Sequence, residues 1–208
     1  MSEQAAREFD TSHPDPEPEQ HEVPDWDDDY LDRVSDRLLS NFDMSKDATV
    51  GDYTFDLYGR MLIKNQKEFF HPALRYGYHE STEHLMVQRR DAVTLDDVET
   101  FEAFAHALAD DWIENTEDHF ETIFTFVLVV PELPEDVRNT VAGYRERPLL
   151  KYGFNGHYEI NFVVVSPDEE DLVASEQADV WRAFQLWSNV DDGVPPGVFG
   201  RLKAKLLG

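Results

Sequence analysis

The chain has 208 residues, 41% of them hydrophobic and 14 of them Phe, which suits one domain with a real core and flanking tails. Its 44 acidic residues against 18 basic ones leave a net charge of −26, which weighs against general nucleic-acid binding, because attraction to phosphates needs clustered cations. With no Cys there is no disulfide framework, thiolate metal site or Cys nucleophile, and with no apolar run near ~18 residues no membrane span is expected.

Residues 1–25 are rich in Pro and acids without a hydrophobic period and read as a disordered acidic tail. The folded domain is expected over 26–190. Leu31, Val34, Leu38 and Phe42 recur at helical spacing, which predicts an amphipathic helix over 26–42. "DYTFDLYGRMLI" then alternates as a strand does, "KEFFHPALRYGYH" continues it with Pro72 at an edge or bulge, and "EHLMVQRR" is a further strand. The clearest helix is "TLDDVETFEAFAHALADDWI". Thr94 caps it, Asp96 and Asp97 occupy its positive first turn, and Val98, Phe101, Ala105, Leu108 and Trp112 share a face.

"IFTFVLVV" reads as a buried central strand, and Pro134 opens a short helix ending near Tyr144. "PLLKYGF" and "HYEINFVVV" flank Asn155-Gly156, the signature of a two-residue hairpin turn. That register sets Phe154 opposite His157, Tyr152 opposite Glu159 and Leu150 opposite Asn161. Ser166-Pro167-Asp168-Glu169 has the form of a helix start, and the helix or helices after it would carry Leu172, Trp181, Phe184 and Trp187 inward. Residues 191–208 form a Gly/Pro linker and a short basic amphipathic tail, with Phe199, Leu202 and Leu206 against Arg201, Lys203 and Lys205.

Two stretches rhyme: "RYGYHE" at 75–80 and "KYGFNGHYE" at 151–159, preceded by "YTFDL" and "FTFVL". The rhyme points to a duplicated β-β-β-α unit. The expected fold is a single α+β domain, with a mostly antiparallel sheet and amphipathic helices on one face.

Two groups of residues carry candidate chemistry. His157 and Glu159, two apart on one strand face, can offer two ligands to one metal ion, with His79, Glu80 or His84 adding a third. Against this stands the ordinary polar face of a sheet, and His79 and Glu80 fall on opposite faces of an ideal strand. A carboxylate–lysine nuclease core fits poorly, because no Lys follows Glu159 at the expected spacing. The second group is cationic: Arg60, Lys64, Lys67, Arg75, Arg89 and Arg90, with Arg145, Arg147 and Lys151 as a second island. In so acidic a chain these could form a docking surface for a protein or an anionic ligand, or simply offset acidic helices. No G-x-x-x-x-G-K-[ST], G-x-G-x-x-G or G-x-S-x-G pattern occurs.

"WDDDYLDRVSDRLLSNFD", "FDLYGRM", "FFHPALRYGYHESTEHL" and "LLKYGFNGHYE" together resemble a haloarchaeal conserved-protein family with no assigned activity, over about 26–190. The resemblance implies a salt-rich cytoplasm and supplies no catalytic residue. Charge agrees with that setting. Like charges at this density repel at low ionic strength, and at about 1 M salt the Debye length shrinks to about 3 Å. The sequence thus points first to a soluble, cytoplasmic, non-catalytic interaction or ligand-binding module that uses the Arg-rich hairpin surface. The alternative is a metal-dependent hydrolytic enzyme centred on His157 and Glu159. No cofactor is indicated.

Overall fold

The computed structural model describes residues 24–67 and 77–187, with backbone only at 63–67 and 77–80. Most of the acidic tail, Pro72, Arg75 and the C-terminal linker and basic tail lie outside the described residues.

Helix α1 (Asp29–Leu38) starts where the Asp28 carboxylate accepts hydrogen bonds from the Tyr30 and Leu31 backbone N–H groups. It buries Leu31, Val34 and Leu38, and Phe42 is buried just beyond it. Trp26 is buried as well, its indole N–H donating to the Asp56 carbonyl. Strand β1 (Asp43–Val50) was not foreseen. Its sequence, "DMSKDATV", is polar and only Val50 is buried, as suits an edge strand.

Strands β2 (Tyr53–Lys67) and β3 (Gly77–Arg89) follow. Next come α2 (Leu95–Trp112), β4 (His119–Val129), α3 (Glu135–Gly143), a 3-10 turn (Leu150–Gly153), β5 (His157–Ser166), β6 (Asp171–Ala174) and the four-residue α4 (Trp181–Phe184). The six strands form one sheet in chain order. β1–β2, β2–β3 and β5–β6 pair antiparallel, whereas β3–β4 and β4–β5 are parallel, their crossovers made by α2 and α3. The protein is therefore a single α+β domain with a mostly antiparallel sheet. None of its described helices is long and apolar enough to cross a membrane.

The helices occupy both faces of the sheet, not one. α2 and α3 cover the face that carries Phe55, Phe124, Phe126, Ile160 and Phe162. α1 and α4 cover the face that carries Leu57, Leu85, Val127, Val163 and Val165. The reason is legible in "IFTFVLVV" and "INFVVV": strands apolar at consecutive positions need cover on both sides. Central burial of β4 and the inward face of α2 agree with the expectation, apart from Trp112, which is 40% exposed. At the start of α2, Thr94 and Asp97 form a reciprocal capping box. Thr94→Ala is expected to cost about 1 kcal/mol, read as a lower urea midpoint at unchanged slope.

The expected β-β-β-α repeat is not confirmed. "YTFDL" opens an antiparallel strand, "FTFVL" lies in a parallel one, and the second half runs β4–α3–β5–β6. The two-residue hairpin at Asn155-Gly156 is also corrected. Leu149 pairs with His157 and Glu146 with Ile160, so residues 150–156 make the connection, with Lys151 and Tyr152 at φ 47° and 59°. Asn155 is buried there because its amide nitrogen donates to the Asn115 carbonyl (2.9 Å) and the Asn115 side chain, and its own carbonyl accepts from His119. Long-range bonds of this kind overrode the local turn signal. Ser166-Pro167-Asp168-Glu169 starts no helix. Ser166 ends β5 with its hydroxyl donating to the Pro131 carbonyl, and a turn with Glu170 at φ 53° leads into β6. Leu172 is thus buried on a strand, while Trp181 and Phe184 are buried in α4 as expected.

Candidate functional site

The face covered by α1 and α4 is apolar at one end and polar at the other. Parallel pairing aligns Ser81, Glu121 and His157 in one row, then Glu83, Ile123 and Glu159, then Leu85, Thr125 and Asn161. Beyond these come only aliphatic rows, beginning with Val87, Val127 and Val163. Two-residue periodicity along β3, β4 and β5 therefore concentrates carboxylates and an imidazole on a single surface.

His157 Nε2 stands 2.9 Å from Glu121 Oε1 and 3.5 Å from Glu159 Oε1. The same Glu159 oxygen accepts from Arg147 Nε at 3.0 Å. His157 and Glu159 are each only 5% exposed, and Glu121 is half-buried. The Phe120 ring packs edge-on against the His157 imidazole. Burial raises the pKa of Glu159 above the usual carboxylate range, and the Glu121 charge adds to the rise; Arg147 and His157 oppose it. Behind these, Asn161 accepts from the Ser175 hydroxyl, which in turn accepts from the Phe162 backbone N–H.

Glu83, in the same polar field, receives a hydrogen bond from the Thr125 hydroxyl at 3.1 Å. Burial lifts its pKa to about 7, reinforced by the charges of Asp179, Glu121 and Glu159 and opposed by the Thr125 bond. It lines a cavity of about 370 Å³ with Leu38, Phe42 and Met61, between α1 and the α4 segment.

The structure brings His157 and Glu159 together, as their spacing predicts, and adds Glu121 as the third ligand-type group within 4.8 Å. Glu121 escaped the sequence reading because the parallel pairing of β4 with β5 leaves no local mark. The one available signal was an acid near the start of a strand expected to be buried. Of the other proposed ligands, His79 pairs with Asn65, and Glu80 with Lys64 and His119, in the backbone register; their side chains lie outside the described residues. His84 lies on the opposite face, against Phe124 and Trp112.

The cations are spread out. Arg89 Nε is bonded to Asp28 at 2.5 Å and Arg90 to Asp97 at 2.8 Å, so each meets an acid at a helix start. Arg60 pairs in register with His84, five residues from Arg89, or about 16 Å along a strand. Lys64 and Lys67 share β2 with Arg60, their side chains outside the described residues, as is Arg75. Arg145 approaches Glu176 at 3.9 Å, and Lys151 is exposed.

A family model described as "Domain of unknown function (DUF8052)" matches residues 27–186, which takes in nearly all of the described residues. No curated protein and no solved structure matches the chain.

Proposed function

The chain belongs to the DUF8052 family, and we propose that it is a ligand-binding protein whose ligand is a divalent metal ion, held by Glu121, His157 and Glu159. The observation that carries this reading is the convergence of two carboxylates on one imidazole nitrogen in a nearly closed environment. Atoms bound about 2.1 Å from one tetrahedral ion stand about 3.4 Å apart, and the two His157 separations fall on either side of that value. An imidazole with two carboxylates suits zinc and neighbouring divalent transition metals better than calcium or magnesium, which prefer all-oxygen sets.

Charge points the same way. One buried and one half-buried carboxylate beside a single Arg leave a deficit of positive charge, which a divalent cation can supply. Arg147, which shares the Glu159 Oε1 atom with His157, would then help to neutralise Glu159 and fix its orientation. We place this binding role in a salt-rich cytoplasm, where strong screening makes a charge of −26 tolerable. The docking surface drawn from the arginines has weaker support, since Arg89 and Arg90 already hold Asp28 and Asp97.

The test is isothermal titration of the chelator-stripped chain with Zn²⁺ and Mn²⁺ in molar KCl. One equivalent is expected to bind, with affinity reduced at least ~100-fold in Glu121→Gln and in His157→Ala. Glu121 is half-buried, so Glu121→Gln is expected to keep the fold by circular dichroism. Equal metal uptake by the wild type and both variants would sink the site.

A further inference from the structure

The opposite face of the sheet carries a second concavity, walled by the ends of α2 and β4, with a volume of about 700 Å³. That lies within the range of small-molecule sites. Its features come from separate parts of the chain. Trp112, at the end of α2, is 40% exposed although its ring packs on His84 and Phe124. An indole with one face buried and the rest open is a stacking platform. Arg60, on β2, is exposed and has no carboxylate partner among the described residues, in a chain where most described cations are ion-paired. It is the one member of the sequence's first cationic group whose described side chain lines a cavity with no ion pair of its own.

The polar atoms between these two residues are preset. His84 is buried between Trp112 and Phe124, and burial, aided by the Arg60 charge, lowers its pKa to about 4. Its Nδ1 lies 2.7 Å from the Tyr58 hydroxyl. A phenol donates most readily to a neutral imidazole nitrogen, which leaves Nε2–H as the free polar group of a cavity-lining residue. His119 is settled differently. Nδ1 faces the Asn155 carbonyl at 2.8 Å and must donate, so Nε2 accepts from the Thr122 hydroxyl at 2.9 Å. The Thr122 oxygen keeps its acceptor capacity toward the cavity. The cavity thus offers a stacking surface, one donor, one acceptor and one guanidinium. Glu114 and Asp118, which also line it, disfavour ligands with more than one anionic group.

We infer that this cavity binds a planar heteroaromatic ligand carrying one anionic group, its ring stacked on Trp112 and its carboxylate or phosphate on Arg60. Where the ring carries an acceptor nitrogen, as the adenine of AMP does, the His84 Nε2–H would meet it. This site is independent of the metal cluster, which occupies the other face.

The experiment is calorimetric titration in molar KCl after EDTA treatment, so that its outcome does not depend on metal binding. The probes are AMP, adenosine and indole-3-carboxylate. One equivalent of AMP, of indole-3-carboxylate or of both is expected to bind, each at least ~10-fold tighter than adenosine. Binding is expected to weaken ~10- to 100-fold in Arg60→Gln and in Trp112→Ala. Both residues are exposed, and circular dichroism checks that both variants fold. Preference for AMP would identify a phosphate ligand, and preference for indole-3-carboxylate a carboxylate. No binding of either anion, binding of adenosine as tight as AMP, or affinities unchanged in both variants would overturn the site.

Discussion

Glu83→Gln is expected to stabilise the protein by about 3 kcal/mol at pH 8 and to leave it unchanged near pH 4. The Glu83 carboxyl is raised from the ordinary value of 4.5 to about 7, first by burial and then by the charges of Asp179, Glu121 and Glu159. In the folded state it therefore keeps its proton through a pH range in which the unfolded chain has lost it. Its favourable contribution is complete below pH 4.5 and disappears as pH rises from there through about 7. Above that, the folded protein carries a partly buried carboxylate whose charge has no cationic partner among its described hydrogen bonds, only the Thr125 hydroxyl. Gln keeps the shape and can still accept from Thr125, and it never ionises. Urea unfolding of both proteins from pH 4 to 8 at constant molar KCl isolates the effect, since every other group titrates in both. The two stability curves should meet at low pH and diverge upward. Parallel curves would show that the Glu83 carboxyl is solvated in the folded state.

Glu83 and Glu121 were both hidden from local pattern, whereas helix α2 was not. Helix α2 was legible apart from its exposed Trp112, because Thr94, Asp97 and the period of Val98, Phe101, Ala105 and Leu108 are all local signals that agree with one another. The buried strands β4 and β5 were legible for the same reason, and the His157–Glu159 pair followed from a period of two. What remained hidden was pairing. That Glu121 lies beside His157, and Glu83 one strand further, depends on two parallel crossovers that no short stretch encodes. The sequence's rhyme misled in the opposite direction, since "RYGYHE" leads into a strand while "KYGF" forms a turn with two residues at positive φ. Likewise Asn155-Gly156 has the composition of a tight hairpin, yet its side chain and carbonyl are held by Asn115 and His119 from a distant part of the chain. Local preference decided the helix and lost at the turn, where hydrogen bonds to Asn115 and His119 fix Asn155.

Gly156→Ala is expected to be the most damaging single methyl group that can be added around the site, costing at least about 3 kcal/mol. Gly156 has φ +76°, a region that costs any other residue roughly 1 kcal/mol or more. A Cβ there would also lie 2.0 Å from the Phe120 carbonyl oxygen and 2.6 Å from its carbon. Those atoms are backbone atoms of β4, at the point where its register with β3 shifts, so the clash cannot be relieved by rotating a side chain. The chain at 156 must move instead, and that breaks the Leu150 N–H bond to the Gly156 carbonyl and displaces His157, the next residue. Stability and metal affinity should therefore fall together. Gly153→Ala supplies the comparison. Its φ is +87°, but the added Cβ would meet only the Leu149 side chain at 3.9 Å, so it should carry the backbone strain alone, about 1 kcal/mol, and leave metal binding intact. Urea unfolding and zinc titration of the two variants side by side measure the difference. Equal losses at 153 and 156 would mean that β4 yields to the new methyl, and the tight approach of Gly156 to Phe120 would then have no part in holding His157 in place.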